Sequence, residues 1–287
     1  MVEALHIEGV LRRVAPDRRP LPVVLDSPHS GKHYPDDHGA AVPASVMQGG
    51  EDVYVDELFG EAPRHGAVLL HALFARTYID PNRDEADIDT SLLADEWTGP
   101  INATFKQELG KSLIWRLTGN SRPIYDRKLP ASEVKARIER YWRPYHDALD
   151  EALDSLHGHY GAVWHINCHS MHSIAGRNQV DYGQRRPDFT ISDRLGKTCE
   201  PEFMTVVVDC LRDKGYDVRV NDPYQGAEIV RRYGRPHEDR HSLQIEINRA
   251  LYVEERSQRK HDGFDRLRAD LGDLVAAVCD FAWARVA

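Results

Sequence analysis

Two of the fifteen histidines occupy matching positions. His29 in "VVLDSPHSG" and His169 in "AVWHINCHS" each close an apolar run and are each followed by serine. Imidazoles fixed at strand ends suit a metal ion. A catalytic zinc takes three protein ligands and keeps a fourth position for water. The same positions also fit two loop histidines satisfied by hydrogen bonds, and sequence position alone leaves the two readings level.

A third ligand has to be a carboxylate or another histidine. The short HxxE spacing is missing, because Lys32 stands three residues after His29. The acid must come from further along the chain, and "GGEDVYVDELF" offers Asp52, with Glu51 as the alternative. Both also fit the first turn of a helix, where acidic side chains complement the dipole. Glu246 lies in the apolar frame "LQIEINR". Burial of an unpaired carboxylate is costly, so it is either the general base such a site needs or half of a buried ion pair with Arg249 or Arg76.

"FARTYIDPNRDEADID" adds three polar groups. Arg76 suits the stabilisation of an oxyanion. Arg83, next to Asn82, suits a two-pronged grip on a carboxylate, or else it pairs with Asp84, Glu85 or Asp87. Further cations for an acidic substrate are Arg122 and Arg127 in "GNSRPIYDRK" and Arg231, Arg232 and Arg235 in "EIVRRYGRP", each of which also fits a solvated surface charge. Tyr125 and Gln225 are candidates to close the pocket.

The elements that must hold these residues alternate. Strands are expected over 21–27, within 67–83 up to the break at Asp80-Pro81, and over 162–170, 187–192, 216–221 and 242–252. Helices are expected over 51–66, from an N-cap at Ser132 with a kink or break at Pro144, within 199–215, and from about Glu255 to the end. Residues 84–131 carry no periodicity. Strands alternating with helices imply a layered α/β sheet, in which sites lie beyond the carboxyl ends of the strands. His29, Asn82, Arg83 and His169 all fall there.

The bulk numbers narrow the function. The 37 Lys and Arg against 46 Asp and Glu leave a net charge of −9. That argues against nonspecific nucleic-acid binding and requires a local basic pocket for any anionic substrate. No apolar run approaches the length of a membrane span. The N-terminal residues lack the order of a signal peptide, so a cytoplasmic location is expected, with residues 1–287 as one domain. The four cysteines (168, 199, 210 and 279) form no CxxC pair, and Cys168 reads as core.

Taken together, "DSPHSGKHYP", "EDVYVDELF", "ARTYIDPNRDEADID", "GNSRPIYDRKL", "YWRPYHDAL", "NCHSM" and "LQIEINRALY" resemble the N-formylglutamate amidohydrolase (N-formylglutamate deformylase) family. The resemblance runs from about residue 20 to residue 255. That family resembles in turn the zinc carboxypeptidases and aspartoacylases. It implies an α/β fold of three layers, α/β/α, around a mixed central sheet. It implies one zinc ion on His29, an acidic residue and His169, with Glu246 as base, Arg76 at the oxyanion, and Asn82 and Arg83 on the substrate carboxylate. The expected reaction is hydrolysis of N-formyl-L-glutamate, a small anionic N-acyl amino acid, to formate and glutamate. The alternatives are another N-acyl amino acid hydrolase on the same fold or a non-catalytic binding protein.

Overall fold

The computed structural model describes residues 2–176 and 181–287. Eight strands make one sheet: β1 (Leu5–Ile7), β2 (Leu11–Val14), β3 (Val23–Ser27), β4 (Val68–Ala72), β5 (Val163–Met171), β6 (Phe189–Ser192), β7 (Val218–Val220) and β8 (Arg240–Asn248). Their order is β1-β2-β4-β3-β5-β8-β6-β7. The run β4-β3-β5-β8 is parallel. β1 and β2 join antiparallel at one side, and β6 pairs antiparallel with β8. The sheet is therefore mixed, as expected.

The period-two alternation of a strand explains what each face carries. Along β5, Trp164, Ile166 and Cys168 point one way, and along β8 Leu243, Ile245 and Ile247 join them. This face is covered by α5 (Pro201–Asp213) and α7 (Gly263–Val286), through Phe203, Val207, Leu211, Leu267, Leu271, Leu274 and Val278. The intervening positions are His165, Asn167 and His169 on β5, and Ser242, Gln244, Glu246 and Asn248 on β8. They face the other layer and are buried too. That layer is built on α4 (Arg143–Tyr160), which packs Leu149, Ala152, Leu153 and Leu156 against Val24, Val68 and Leu70. Three layers result, with the polar stripe inside the second interface.

The connections make a switch point. From β3 the chain moves outward to β4, but β5 and β8 lie on the opposite side of β3. Neighbouring loops at the carboxyl ends of β3 and β5 therefore diverge and leave a crevice between them. His29 lies just past β3 and His169 near the end of β5, so both flank that crevice.

Several expectations need correction. Residues 51–66 are not one helix. Only Val55–Leu58 is α-helical, followed by a 3₁₀ turn at Ala62–His65. Gly60 and Pro63 disfavour a continuous helix, and Tyr54 takes the left-handed region at φ 63°. Glu51 is extended, so Glu51 and Asp52 lie outside any helical turn. Residues 75–80 are turns and not a strand.

The helix expected from Ser132 starts at Ala131, after Pro130. It passes through a π-helical turn at Ile138–Trp142 before α4, which makes room for the ring of Pro144. The final helix begins at Gly263, after a hairpin of Val253–Glu254 with Arg259–Lys260. β1 and β2 were not anticipated.

Candidate active site

The turn after β3 is fixed from both sides. The Ser27 and Ser30 hydroxyls lie 2.5 Å apart. Ser30 donates to the Asp52 carbonyl at 3.2 Å and accepts from the Asp56 amide at 3.1 Å. The Asp52 amide donates to the His29 carbonyl at 2.9 Å. Gly31 has to be glycine, because a Cβ there would stand 2.2 Å from the Phe74 carbonyl oxygen. The strand thus ends in a turn that ties His29 to Asp52, 23 residues on.

His29, Asp52 and His169 form a buried group with one ligand atom each, all within 4.8 Å of one another. Asp52 Oδ2 lies 3.3 Å from His29 Nδ1 and 3.0 Å from His169 Nδ1. The other imidazole nitrogens are held from behind. His29 Nε2 donates to Asp80 Oδ1 at 2.7 Å, and His169 Nε2 donates to Asn167 Oδ1 at 2.6 Å. These contacts place the ring protons on Nε2 and turn both Nδ1 lone pairs inward, the usual arrangement behind metal-bound histidines. Two imidazole nitrogens and a carboxylate oxygen, all shielded from solvent, fit a zinc-type cation.

Arg249 sets the remaining ligand. Its Nη2 donates to Asp52 Oδ1 at 2.9 Å and to the Glu51 carbonyl at 2.5 Å, and its Nε donates to Ser170 Oγ at 2.9 Å. Asp52 therefore gives one oxygen to the arginine and the other to the histidines. Burial alone would raise its pKa. The His169 and His29 rings beside it and the charge of Arg76 outweigh burial and hold it well below the usual carboxylate range. Glu51 is buried as well, but its carboxylate takes the Tyr34 hydroxyl instead. Burial lifts its pKa to about 7. Of the two acids, Asp52 is the one aimed at the histidines.

Glu246 sits beside His169 in the β5–β8 register. It pairs with neither Arg249 nor Arg76, and Gln244 Nε2 donates to its Oε1 at 2.9 Å. Burial lifts its pKa to about 7. The charges of His169, Arg76 and Arg186 oppose that rise and Asp52 adds to it. A carboxyl at that value exchanges protons near neutral pH.

Arg76 reaches the same place. It donates to Asp80 Oδ2 through Nη2 at 2.9 Å, its Nη1 lies 4.0 Å from Asp52 Oδ2, and its guanidinium packs over the Trp115 ring. Arg83 Nη1 donates to the Asn82 carbonyl at 2.8 Å and its Nε to the Lys111 carbonyl at 3.0 Å. Its Nη2 lies 3.8 Å from Asp80 Oδ2. The acids downstream have other partners: Asp84 pairs with Arg231, Glu85 with Arg143, and Asp87 takes Thr104. Asn82 turns its side chain to the protein. Its Nδ2 lies 3.1 Å from His169 Nε2, and its Oδ1 accepts the Ile229 amide at 2.9 Å.

The remaining candidates are placed elsewhere. Tyr125 is buried in the core, where its hydroxyl accepts from Arg137. Arg122 and Gln225 are exposed. Arg127 pairs with Glu133, Arg231 with Glu228, and Arg235 with Glu238, while Arg232 lies over Trp142. Cys168 is fully buried in the sheet–helix core, as expected.

Two supports escaped the sequence reading. In the sequence Asp80 stands out only as the residue before a strand-breaking proline. It accepts from His29, Arg76 and Trp115 Nε1. Asn167 was visible as the middle polar residue of the His165, Asn167, His169 alternation. Its Nδ2 donates to Asp26 Oδ1 at 2.7 Å, which fixes which end faces His169. Asp26 also accepts from His165 Nε2 at 2.9 Å and the Tyr145 hydroxyl at 2.6 Å, and His165 Nδ1 meets Ser242 Oγ at 2.8 Å. Ser242, His165 and Asp26 imitate a nucleophile triad. Their exposures are 0, 1 and 0%, so no substrate reaches them and they act as a prop beneath His169.

The chain is similar to several known proteins. A family model described as N-formylglutamate amidohydrolase matches residues 21–253. N-formylglutamate deformylase of Pseudomonas aeruginosa is 26% identical over 90% of both chains, and that of Pseudomonas putida is 28% identical over 82% of this chain and 83% of its own. A crystal structure of N-formylglutamate amidohydrolase from Ralstonia eutropha JMP134 is 45% identical, with a TM-score of 0.94 over 97% of this chain and all of that one. A gene product of Agrobacterium tumefaciens, 17% identical with a TM-score of 0.66, shares the fold. With the family match spanning most of its length, this chain belongs to the N-formylglutamate amidohydrolase family.

Proposed function

We propose that the protein hydrolyses the amide of N-formyl-L-glutamate, releasing formate and L-glutamate, with a zinc ion held by His29, Asp52 and His169. The observation that carries this is the buried three-donor group with the Glu246 carboxyl beside it in register. A bound zinc ion supplies a Lewis acid and makes water acidic enough to lose a proton near pH ~7. Glu246 takes that proton and delivers it to the leaving amine, for which a carboxyl of pKa about 7 is suited. Arg76 Nη1 lies 4.0 Å from Asp52 Oδ2, the oxygen turned to the histidines, and would meet the negative charge that develops on the formyl oxygen.

Arg83 binds the α-carboxylate through the guanidinium edge left after its bonds to the Asn82 and Lys111 carbonyls. Asn82 supports that guanidinium through its backbone carbonyl, and its side-chain oxygen accepts the Ile229 amide. The relatives named for N-formylglutamate support the substrate.

Formate release from N-formyl-L-glutamate, set against N-acetyl-L-glutamate, tests the reading. Efficient turnover of the formyl compound supports it. Turnover of the acetyl compound alone assigns the chain to another N-acyl amino acid.

A further inference from the structure

The segment from Lys106 to Trp115 docks on the candidate active site through its backbone. The Lys111 amide donates to the Lys106 carbonyl at 2.9 Å, and the Lys111 carbonyl accepts Arg83 Nε. Trp115 bonds Asp80 and carries two cations on its ring, Arg76 at 4.8 Å and Lys111 at 5.1 Å from the centroid. Lys111 is thus one aromatic ring away from the arginine that faces the metal ligands.

Neither lysine ammonium has a carboxylate partner among the described residues. Of the arginines expected from sequence to grip a substrate side chain, Arg127, Arg231 and Arg235 are paired with glutamates, Arg232 lies over Trp142, and Arg122 is exposed. The nearby acid, Asp80, is already committed to His29 and Arg76. Burial lowers the pKa of Lys106 and of Lys111 to about 8, and the charges of Arg83 and Arg76 push the same way. Lys106 Nζ stands 4.6 Å from the centroid of the Phe105 ring, and partly buried cations without a carboxylate partner are unfavourable until an anion joins them.

We propose that Lys106 and Lys111 form the subsite for the side-chain carboxylate of the substrate and set the preference for an acidic N-formyl amino acid. This rests on the function proposed above. Arg83 then holds the α-carboxylate and the lysines hold the second one, so a dicarboxylate is gripped at both ends.

The test compares kcat/KM for N-formyl-L-glutamate and N-formyl-L-glutamine in the zinc-loaded protein, its K106M, K111M and double variants, and the K106R/K111R variant. The expected result is a wild-type preference for the glutamate compound that falls roughly 10- to 100-fold in the double variant, mostly through KM. The arginine variant should retain most of it. An unchanged ratio, or an equal loss on both substrates, overturns the proposal.

Calorimetric binding of glutarate separates the two readings. If the wild type hydrolyses neither compound, the catalytic reading fails. Weaker glutarate binding in the double variant then still supports the lysine subsite, and equal binding removes it.

Discussion

Asp80 gives one carboxylate oxygen to His29 Nε2 at 2.7 Å and the other to Arg76 Nη2 at 2.9 Å. One buried group therefore aims a candidate metal ligand and a candidate oxyanion arginine together. Burial would raise its pKa, but the charges of Arg76, His29 and Arg83 hold it well below the usual range, so it stays an acceptor for both.

Replacing Asp80 by Asn keeps the volume and removes the charge. Metal affinity should fall roughly 10- to 100-fold, the usual effect of losing a partner behind a ligand histidine, and kcat should fall with it. Zinc titration against a competing chelator reads the first effect. Unaltered affinity would show that Asp80 does not orient His29.

Glu246→Gln should keep zinc at one equivalent and lower kcat by about 10²- to 10⁴-fold. In the wild type, the base is active when deprotonated. With its carboxyl raised to about 7, kcat/KM should fall as pH drops through an acid limb at or below about 7, since a bound cation lowers the value further. The variant should lose that limb. A full-activity variant with the same limb removes Glu246 from the mechanism.

Arg76→Ala should cost about 10²-fold or more in kcat with a smaller change in KM, because the charge it meets exists only in the transition state. A change confined to KM would instead assign Arg76 to ground-state binding.

Asp26→Ala leaves the Tyr145, His165 and Asn167 donors without their acceptor inside the sheet interface. Each such orphan costs about 1–3 kcal/mol, so thermal unfolding should shift strongly downward. The pH dependence has a definite sign. Burial raises the Asp26 pKa, but the hydrogen bond and charge of His165 and the bonds of Tyr145 and Asn167 bring it below the ordinary value of an aspartate. Its stabilisation is present above the unfolded value near ~3.9 and is lost as pH falls through the folded value. The stability gap between wild type and Asp26→Asn should therefore narrow below pH ~4.

Much of the central sheet was readable because strand periodicity is local. "VWHINCHS" and "LQIEIN" alternate apolar and polar residues, and that alternation is the physical division between the helix-packed face and the site. His29 was readable because a Pro-His-Ser-Gly turn cannot continue a strand. The helix expected over 51–66 was not formed, because the tertiary bonds from His29 and Ser30 to residues 52 and 56 take over the backbone.

β1 and β2 are only three and four residues long, and their strand state comes from pairing with each other and of β2 with β4. Asp80, Lys106, Lys111 and Trp115 lie in turns without periodicity, so only the docking of distant backbone brings them to the site. Tyr125 was drawn into the core by Arg137, which no local pattern announces.

The most direct test of the central claim is formate release from N-formyl-L-glutamate by protein stripped of metal, before and after adding one equivalent of zinc. Negligible turnover that zinc restores in the wild type, but not in His29→Ala or His169→Ala, is the predicted result. Full turnover by the metal-free protein, or equal restoration in both histidine variants, would contradict it.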